Sequence, residues 1–509
     1  MIEAPTLWRL VEARAQATPD ARFAIDEQER GLSFAELHDE ALRAAAGLHT
    51  RGIGVDTPVS WLLPTRLSAF VLMAALARLG AVQNPLVPIY REREIRFCLE
   101  QTGARFLLVP ETFRGFDFGP LARTLAEESE ALTAIEIGEG LPSSDPKSLP
   151  PAAEDDQAIR WVFYTSGTTS DPKGARHTDA SVLLSSRGLV RALDLGPKDR
   201  TGVVFPVTHL GGANALVSTL QAGSSQLVVE VFDPATTVPF LAAHGVTHAG
   251  AGPVFYQAYL EAQRAAGPEP IFPELVALYG GGAPTPPSLH EAVRRELCPL
   301  GILSTYGMTE CPIISMTRHD DPPGKRATTE GRPTHPDTRV RIVDADGRPL
   351  PAGQQGEIRL HAPQLLKGFV DRALDASAFD EQGFFRTGDI GCLDEDGYVV
   401  LTGRQKDVII RKGENISAAE VEGLLAGHPA VAEVAVIGLP DPSSGERACA
   451  IVRPTDPSAP LGFDEMVAFL SDQGLMRQKI PEQLEQVDAM PRNPSGKIVK
   501  AALKERFDG

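Results

Sequence analysis

A layered α/β protein with a small α+β lobe at its C-terminus is what this chain encodes, and three features point there. Over residues 1–160, short apolar runs that read as strands, VSWLLP and ARFLLVP, alternate with helical patterns such as LSAFVLMAALARLG; such alternation implies helices layered on a largely parallel sheet. From Arg339 to Leu401 strand patterns dominate, separated by the turn signals DADG, EQG and DEDG, which predicts a small β-rich subdomain. After GRQKD, Gly403 to Asp407, the segments ENISAAEVEGLL, VAEVAVIGL, ACAIVRP, FDEMVAFL and QLEQVD make an α+β unit with its own apolar faces. The expected division is therefore 1–403, a large N-terminal lobe, and 404–509, a compact mobile lobe.

The elements follow in order. Ser33 and Glu36 form a capping box ahead of a helix whose Leu37, Ala41, Ala45 and Leu48 share one face. Glu139 to Asp156 is rich in Pro, Ser and acid and reads as a surface connection. It leads to IRWVF, a buried strand, and then to YTSGTTSDPKGARH, Tyr164 to His177. From Ser181 to Leu300 the helix and strand alternation resumes, and ligands of such sheets sit at loops beyond the strand C-termini. His244 and His248 have the spacing of a helical ligand pair, but Gly245 between them favours a turn over a metal site. Ser417 is expected to N-cap a helix, with Glu420 completing its box.

Composition bounds the function. At 509 residues the chain exceeds a single ordinary core. A net charge of −18 argues against nucleic acid or an anionic membrane as partner, so any phosphate site must be a local exception built from loops. The five cysteines, Cys98, Cys298, Cys311, Cys392 and Cys449, never take CxxC spacing, which fits a reducing cytoplasm rather than a disulfide framework or a zinc site. No apolar run reaches the ~18 residues of a membrane span.

Five tracts carry chemistry. In TSGTTSDPKG, glycines allow close backbone approach, hydroxyls and amides bond oxyanions, and Lys173 adds charge: a phosphate cradle. It is not a Walker A loop, because Lys173 precedes Gly174 and no Ser or Thr follows to hold magnesium. YGMTE, Tyr306 to Glu310, offers a ring for a base, Thr309 for a phosphate oxygen and Glu310 as a hard ligand for magnesium. FRTGDIG sets Asp389 in a turn where its carboxylate can accept from two ribose hydroxyls, GRQKD adds Arg404, and PRNPSGKIVK places Lys497 in an exposed Pro/Gly-rich loop.

In this order and spacing, YTSGTTSDPKG, YGMTE, RTGDIG, GRQKD with ENISAAEVE, and PSGK resemble the acyl-activating superfamily of adenylate-forming enzymes: acyl-CoA synthetases, peptide-synthetase adenylation domains and beetle luciferases. The resemblance covers nearly the whole chain and implies an ATP-dependent acid–thiol ligase that makes an acyl adenylate and pyrophosphate, then passes the acyl group to a thiol with release of AMP. It implies that Thr165, Ser166, Gly167, Thr168, Thr169 and Lys173 hold the β- and γ-phosphates. Tyr306 packs on adenine, Thr309 meets the α-phosphate, Glu310 the magnesium, and Asp389 with Arg404 the ribose. Gly281, Gly282, Ala283 and Gly307 lie along the nucleotide. Lys497 bridges the substrate carboxylate and the α-phosphate, Lys406 is the hinge of the C-terminal lobe, and Lys412 with Gly413 lines the thiol approach. The same resemblance raises acylation of Lys497 as a means of control, and a monomer or homodimer is expected.

FPVTHLGGANA matches the superfamily's acyl-pocket tract, with His209 at a gate position and counted among the catalytic groups. Peptide-synthetase domains carry an aspartate here for a substrate amino group, and this tract has none. The expected walls, Gly211, Gly212, Gly281, Gly307, Met308 and Cys311, are small or apolar. They predict a monocarboxylic acid with an apolar body, the glycines leaving room for a ring or a branched chain. NPLVPIYREREIRF, GFDF and KDVIIRKGENISAAEVE resemble bacterial medium-chain and cyclohexanecarboxylate CoA ligases. With only twelve residues after Lys497, free CoA is the expected thiol, alongside ATP and Mg2+ as cofactors. A separate acyl carrier protein is the main rival acceptor; a non-catalytic nucleotide-binding module and a light-emitting oxygenase are the readings from other classes.

Overall fold

The computed structural model describes residues 1–138, 140–165, 172–282, 285–411, 414–441, 445–493 and 496–508. Two large sheets share the N-terminal part. One has nine strands; its inner members, from Ile302–Tyr306 through Ala277–Gly281, His248–Ala249, Arg200–Val203 and Ser225–Val228 to Arg22–Asp26, are parallel, and antiparallel strands close both edges. The other has six strands and is parallel except where Lys173–Thr178 folds back on Ile159–Thr165.

Helices fill the space between the sheets. Leu67–Leu79 is apolar on every side, and Phe70, Leu72, Met73 and Leu76 lose all solvent contact. A helix of that kind is stable only with neighbours all round. It shares one apolar cluster with Phe34–His49, Leu210–Ala222 and strand residues of both sheets, including Phe23, Val59 and Trp61. Each large side chain so enclosed contributes about 1.5–3 kcal/mol.

The third sheet is the expected β-rich subdomain: four antiparallel strands between Arg339 and Arg404. Its turns begin at Asp344, Asp380 and Asp394, whose carboxylates accept from backbone N–H groups two and four residues on. Its last strand, Val399–Arg404, is separated by the single turn Gln405–Asp407 from Val408–Arg411, which belongs to a different sheet. That last sheet pairs Val431–Asp441 with Gly445–Pro454 and encloses its own apolar clusters around Val436 and Ile451.

Local signals hold to different degrees. The Ser33–Glu36 box closes in both directions, Glu36 N–H to Ser33 Oγ at 3.2 Å and Ser33 N–H to Glu36 Oε2 at 2.7 Å. At Ser417 only half forms: Glu420 N–H reaches Ser417 Oγ at 3.2 Å, but the Glu420 carboxylate is taken by Lys479 Nζ at 2.7 Å. An ion pair outcompetes the return bond. His244 ends the helix Pro234–Ala243 and pairs with Glu29, whereas His248 lies on a strand beside Asp199, so the two rings do not converge. Among the described residues, no helix is long and apolar enough to cross a membrane.

Replacing Ser33 by Ala should cost about 1 kcal/mol of N-terminal stability, read as a lowered urea midpoint at unchanged m-value. An unshifted midpoint would show that the box is redundant with the packing of Phe34 and Leu37.

Candidate active site

The phosphate-cradle tract is a hairpin. Strand Ile159–Thr165 ends with Thr165 directly opposite Lys173, the first residue of the returning strand. Ser166, Gly167, Thr168 and Thr169 lie outside the described residues, as do Ala283, Lys412 and Gly413.

YGMTE starts on the last residue of Ile302–Tyr306 and turns at once. Met308 and Cys311 exchange backbone bonds, N–H to O, at 3.0 and 3.1 Å. The Glu310 carbonyl accepts from Leu366 N–H at 2.8 Å. The Thr309 carbonyl accepts from a side chain instead, Nε2 of His177 at 2.8 Å. Every carbonyl from Met308 to Cys311 therefore has a donor, which fixes the turn.

Asp389 ties this strand end to the small sheet. The Tyr306 hydroxyl donates to Asp389 Oδ2 at 2.9 Å, and Arg404 Nε donates to Oδ1 at 2.9 Å. Asp389 stands inside the strand Phe385–Leu393 rather than in the expected turn. Gly388 at φ +67° and a register shift after Ile390 supply the local bend. Each oxygen is thus already paired once and keeps one lone pair for a further donor. The Tyr306 ring is only 4% exposed, and burial, then Asp389, pushes its phenol well above the usual range.

Lys497 arrives from the last lobe. Its N–H donates to Asn493 Oδ1 and its carbonyl accepts from Asn493 N–H, both at 2.9 Å, with Gly496 at φ +79°. A Cβ on Gly282 would stand 3.0 Å from Lys497 Cε, so that glycine leaves the passage open. Burial brings the ammonium down to about 8, with Arg404 and Lys406 acting the same way against Asp389 and Glu310. Burial likewise lowers Lys406, followed by Arg404. It raises Glu310, against Lys173 and Arg404.

Four cations, Lys173, Arg404, Lys406 and Lys497, thus gather about two carboxylates, Glu310 and Asp389. In a chain of net charge −18 this is a local surplus of positive charge, placed where strands of the nine-stranded sheet end. Such a local surplus draws polyanions. No salt bridge reaches Glu310 among the described residues, and no group of three or more His, Cys, Asp or Glu among them can hold a metal unaided. One hard carboxylate beside a polyphosphate suits Mg2+, which keeps its waters and phosphate oxygens as remaining ligands.

The acyl side differs from expectation. His209 caps the helix Leu210–Ala222; its Nε2 has no partner among the described residues, and burial, then Lys497, lowers it to about 4, leaving a neutral ring. Met308, Gly307, Gly211 and Gly281 keep some exposed surface, but Cys311 has none, being enclosed with Ile358 and Leu360. Gly212 is also buried, and its Cβ would stand 1.9 Å from Val207 O. Those two do not line a pocket. At the other glycines an added Cβ would fall 3.1 Å from Phe205 Cε2 for Gly211, 1.8 Å from Thr305 O for Gly281, and 2.6 Å from Ile313 N for Gly307, so each admits a close approach of the chain itself. A separate cavity of about 860 Å³ between Arg43, Arg66, Glu111 and Glu230 shares no residue with this cluster.

The sequence reading gave His177 no role. No local signal marks it, because its partner Thr309 lies 132 residues away.

A polyanion-attracting cleft at parallel strand ends, with a lysine delivered by a second lobe, is the constellation of an adenylate-forming ligase. The chain matches the AMP-binding enzyme family over residues 11–370 and the AMP-binding enzyme C-terminal domain over residues 420–497. It is 32% identical to the salicyl-AMP ligase / salicyl-S-ArCP synthetase of Mycobacterium tuberculosis, over 98% of this chain and 90% of that protein. It is 29% identical to the medium-chain fatty-acid–CoA ligase of Escherichia coli, over 96% and 88%. Among solved structures, ATP-bound MatB from Rhodopseudomonas palustris aligns with a TM-score of 0.90 at 27% identity, over 99% of each chain. The chain belongs to the AMP-binding enzyme family.

Tyr306→Phe leaves a buried Asp389 oxygen without its donor and should destabilise the N-terminal unit by about 1–3 kcal/mol. A denaturant midpoint equal to the parent's would mean that water takes the place of the hydroxyl.

Proposed function

We propose that this chain activates a monocarboxylic acid with an apolar aliphatic, alicyclic or aromatic body and transfers it to CoA. The acid's carboxylate oxygen attacks the α-phosphorus of ATP, the bond to pyrophosphate breaks, and an acyl adenylate results. The thiol sulfur then attacks the acyl carbon and AMP leaves. The observation that carries this reading is Asp389 held between the Tyr306 hydroxyl and Arg404 Nε, each at 2.9 Å, with Lys497 brought against Gly282 just past the neighbouring parallel strand. Mg2+, bound through Glu310, would neutralise phosphate charge. Thr165 and Lys173 hold the outer phosphates, Thr309 the α-phosphate, and Asp389 with Arg404 the ribose. Lys497 bridges the carboxylate and the α-phosphate as charge redistributes. Neutral His209 and the exposed edge of Met308 border the acyl group.

The proposed lobes meet at Gly403 and Arg404, and the turn holding Lys406 is the hinge that withdraws Lys497 before thiol attack. A carrier-protein thiol is the second reading, supported by the printed name of the 32%-identical mycobacterial relative. Supplying enzyme, acid and ATP with either CoA or a carrier protein separates the two.

Lys497→Ala should lower acid-dependent pyrophosphate exchange by about 10²- to 10³-fold while thiolysis of a supplied acyl adenylate persists; equal loss of both sinks the assignment. Because the lysine is cationic below its depressed value of about 8, adenylation kcat/KM should fall as pH rises through about 8, and Lys497→Arg should move that limb to higher pH. An unmoved limb would assign it to another group. Lys406→Pro should spare adenylation and block thioester formation; unchanged overall ligation rules out the hinge.

A further inference from the structure

We infer that His177 is a positioning residue for adenylation, holding the Thr309 carbonyl so that Thr309 and Glu310 face the phosphates. This rests on the proposed function. His177 sits on the strand that begins with Lys173, across from Trp161, and is wholly buried with the edge of Phe163 6.2 Å away, centroid to centroid. A carbonyl only accepts, so the 2.8 Å contact assigns the ring proton to Nε2. Nδ1 is then an acceptor, and Ser181 Oγ lies 3.0 Å from it. Ser181 is itself held by the end of the same strand, its N–H on Thr178 Oγ1 at 3.2 Å, and its one hydroxyl proton serves either Nδ1 or Thr178 O, 2.9 Å away.

The ring therefore joins two tracts that act on one nucleotide, the phosphate hairpin and the YGMTE turn. Within that turn the carbonyls of Met308, Glu310 and Cys311 are bound by backbone groups, so the Thr309 peptide is the one whose orientation a side chain sets. Thr309 and Glu310 flank that peptide bond, and its rotation would swing both side chains. Burial holds His177 down to about 4, so the ring is a neutral donor across the working range of pH. A ring that served only as filling would need no such contact with the Thr309 carbonyl.

The test compares His177→Leu, which removes the donor, with His177→Gln, whose amide can return an N–H near the Nε2 position. The readouts are acid-dependent pyrophosphate exchange, the Mg2+ concentration giving half-maximal exchange, and thiolysis of a supplied acyl adenylate. The Leu variant should lose about 10- to 100-fold in exchange and need more Mg2+, with thiolysis retained and most exchange restored in Gln. If the Leu variant is insoluble, His177→Asn, too short to reach Thr309, should show the same selective loss. Parallel loss of both half reactions, or a Gln variant no better than Leu or Asn, overturns the inference. A parent protein with no acid-dependent exchange overturns the proposed function itself, whatever stands at position 177.

Discussion

The carboxylate of Asp389 is the fixed point of the cleft. A charge with 3% exposure survives only if partners replace its water. Its two partners come from different places: Tyr306 from the end of a parallel strand, Arg404 from the residue before the interlobe turn. One ionic and one neutral hydrogen bond thereby lock the nine-stranded sheet, the small antiparallel sheet and the entry to the last lobe into one geometry. The depressed Lys497 and the raised Glu310 follow from burial in that same confined space.

The electrostatics are local and run against the global balance. A protein with 67 acidic against 49 basic side chains repels ATP on average. The cleft reverses this within a short distance by drawing cations from three separate tracts: the hairpin, the interlobe turn and the terminal loop. Screening at physiological ionic strength acts over about 8 Å, so a nucleotide in the cleft senses these four cations far more than the acidic exterior.

Much of this was legible in the chain. The Ser33 box, the strand IRWVF, the Asp-initiated turns and the change of sheet around Lys406 are set by local chemistry. The order of YTSGTTSDPKG, YGMTE, RTGDIG and PSGK was enough to point to the family. What escaped depends on distant partners. FRTGDIG reads as a turn at Asp389, yet Asp389 pairs with Arg404 on one side while Arg386 and Ile390 pair with Arg359 and Glu357 on the other, which keeps it in a strand. Glycine is ambiguous in a sequence, since a missing side chain can admit either a ligand or the backbone of a neighbouring strand; at Gly212 and Gly281 it admits backbone.

Lys497 rides on a unit joined to the rest of the described chain by the turn Gln405–Asp407. The other three cations, Lys173, Arg404 and Lys406, precede that turn or lie within it, so the positive charge of the cleft is split along the chain, three to one, at a single short joint.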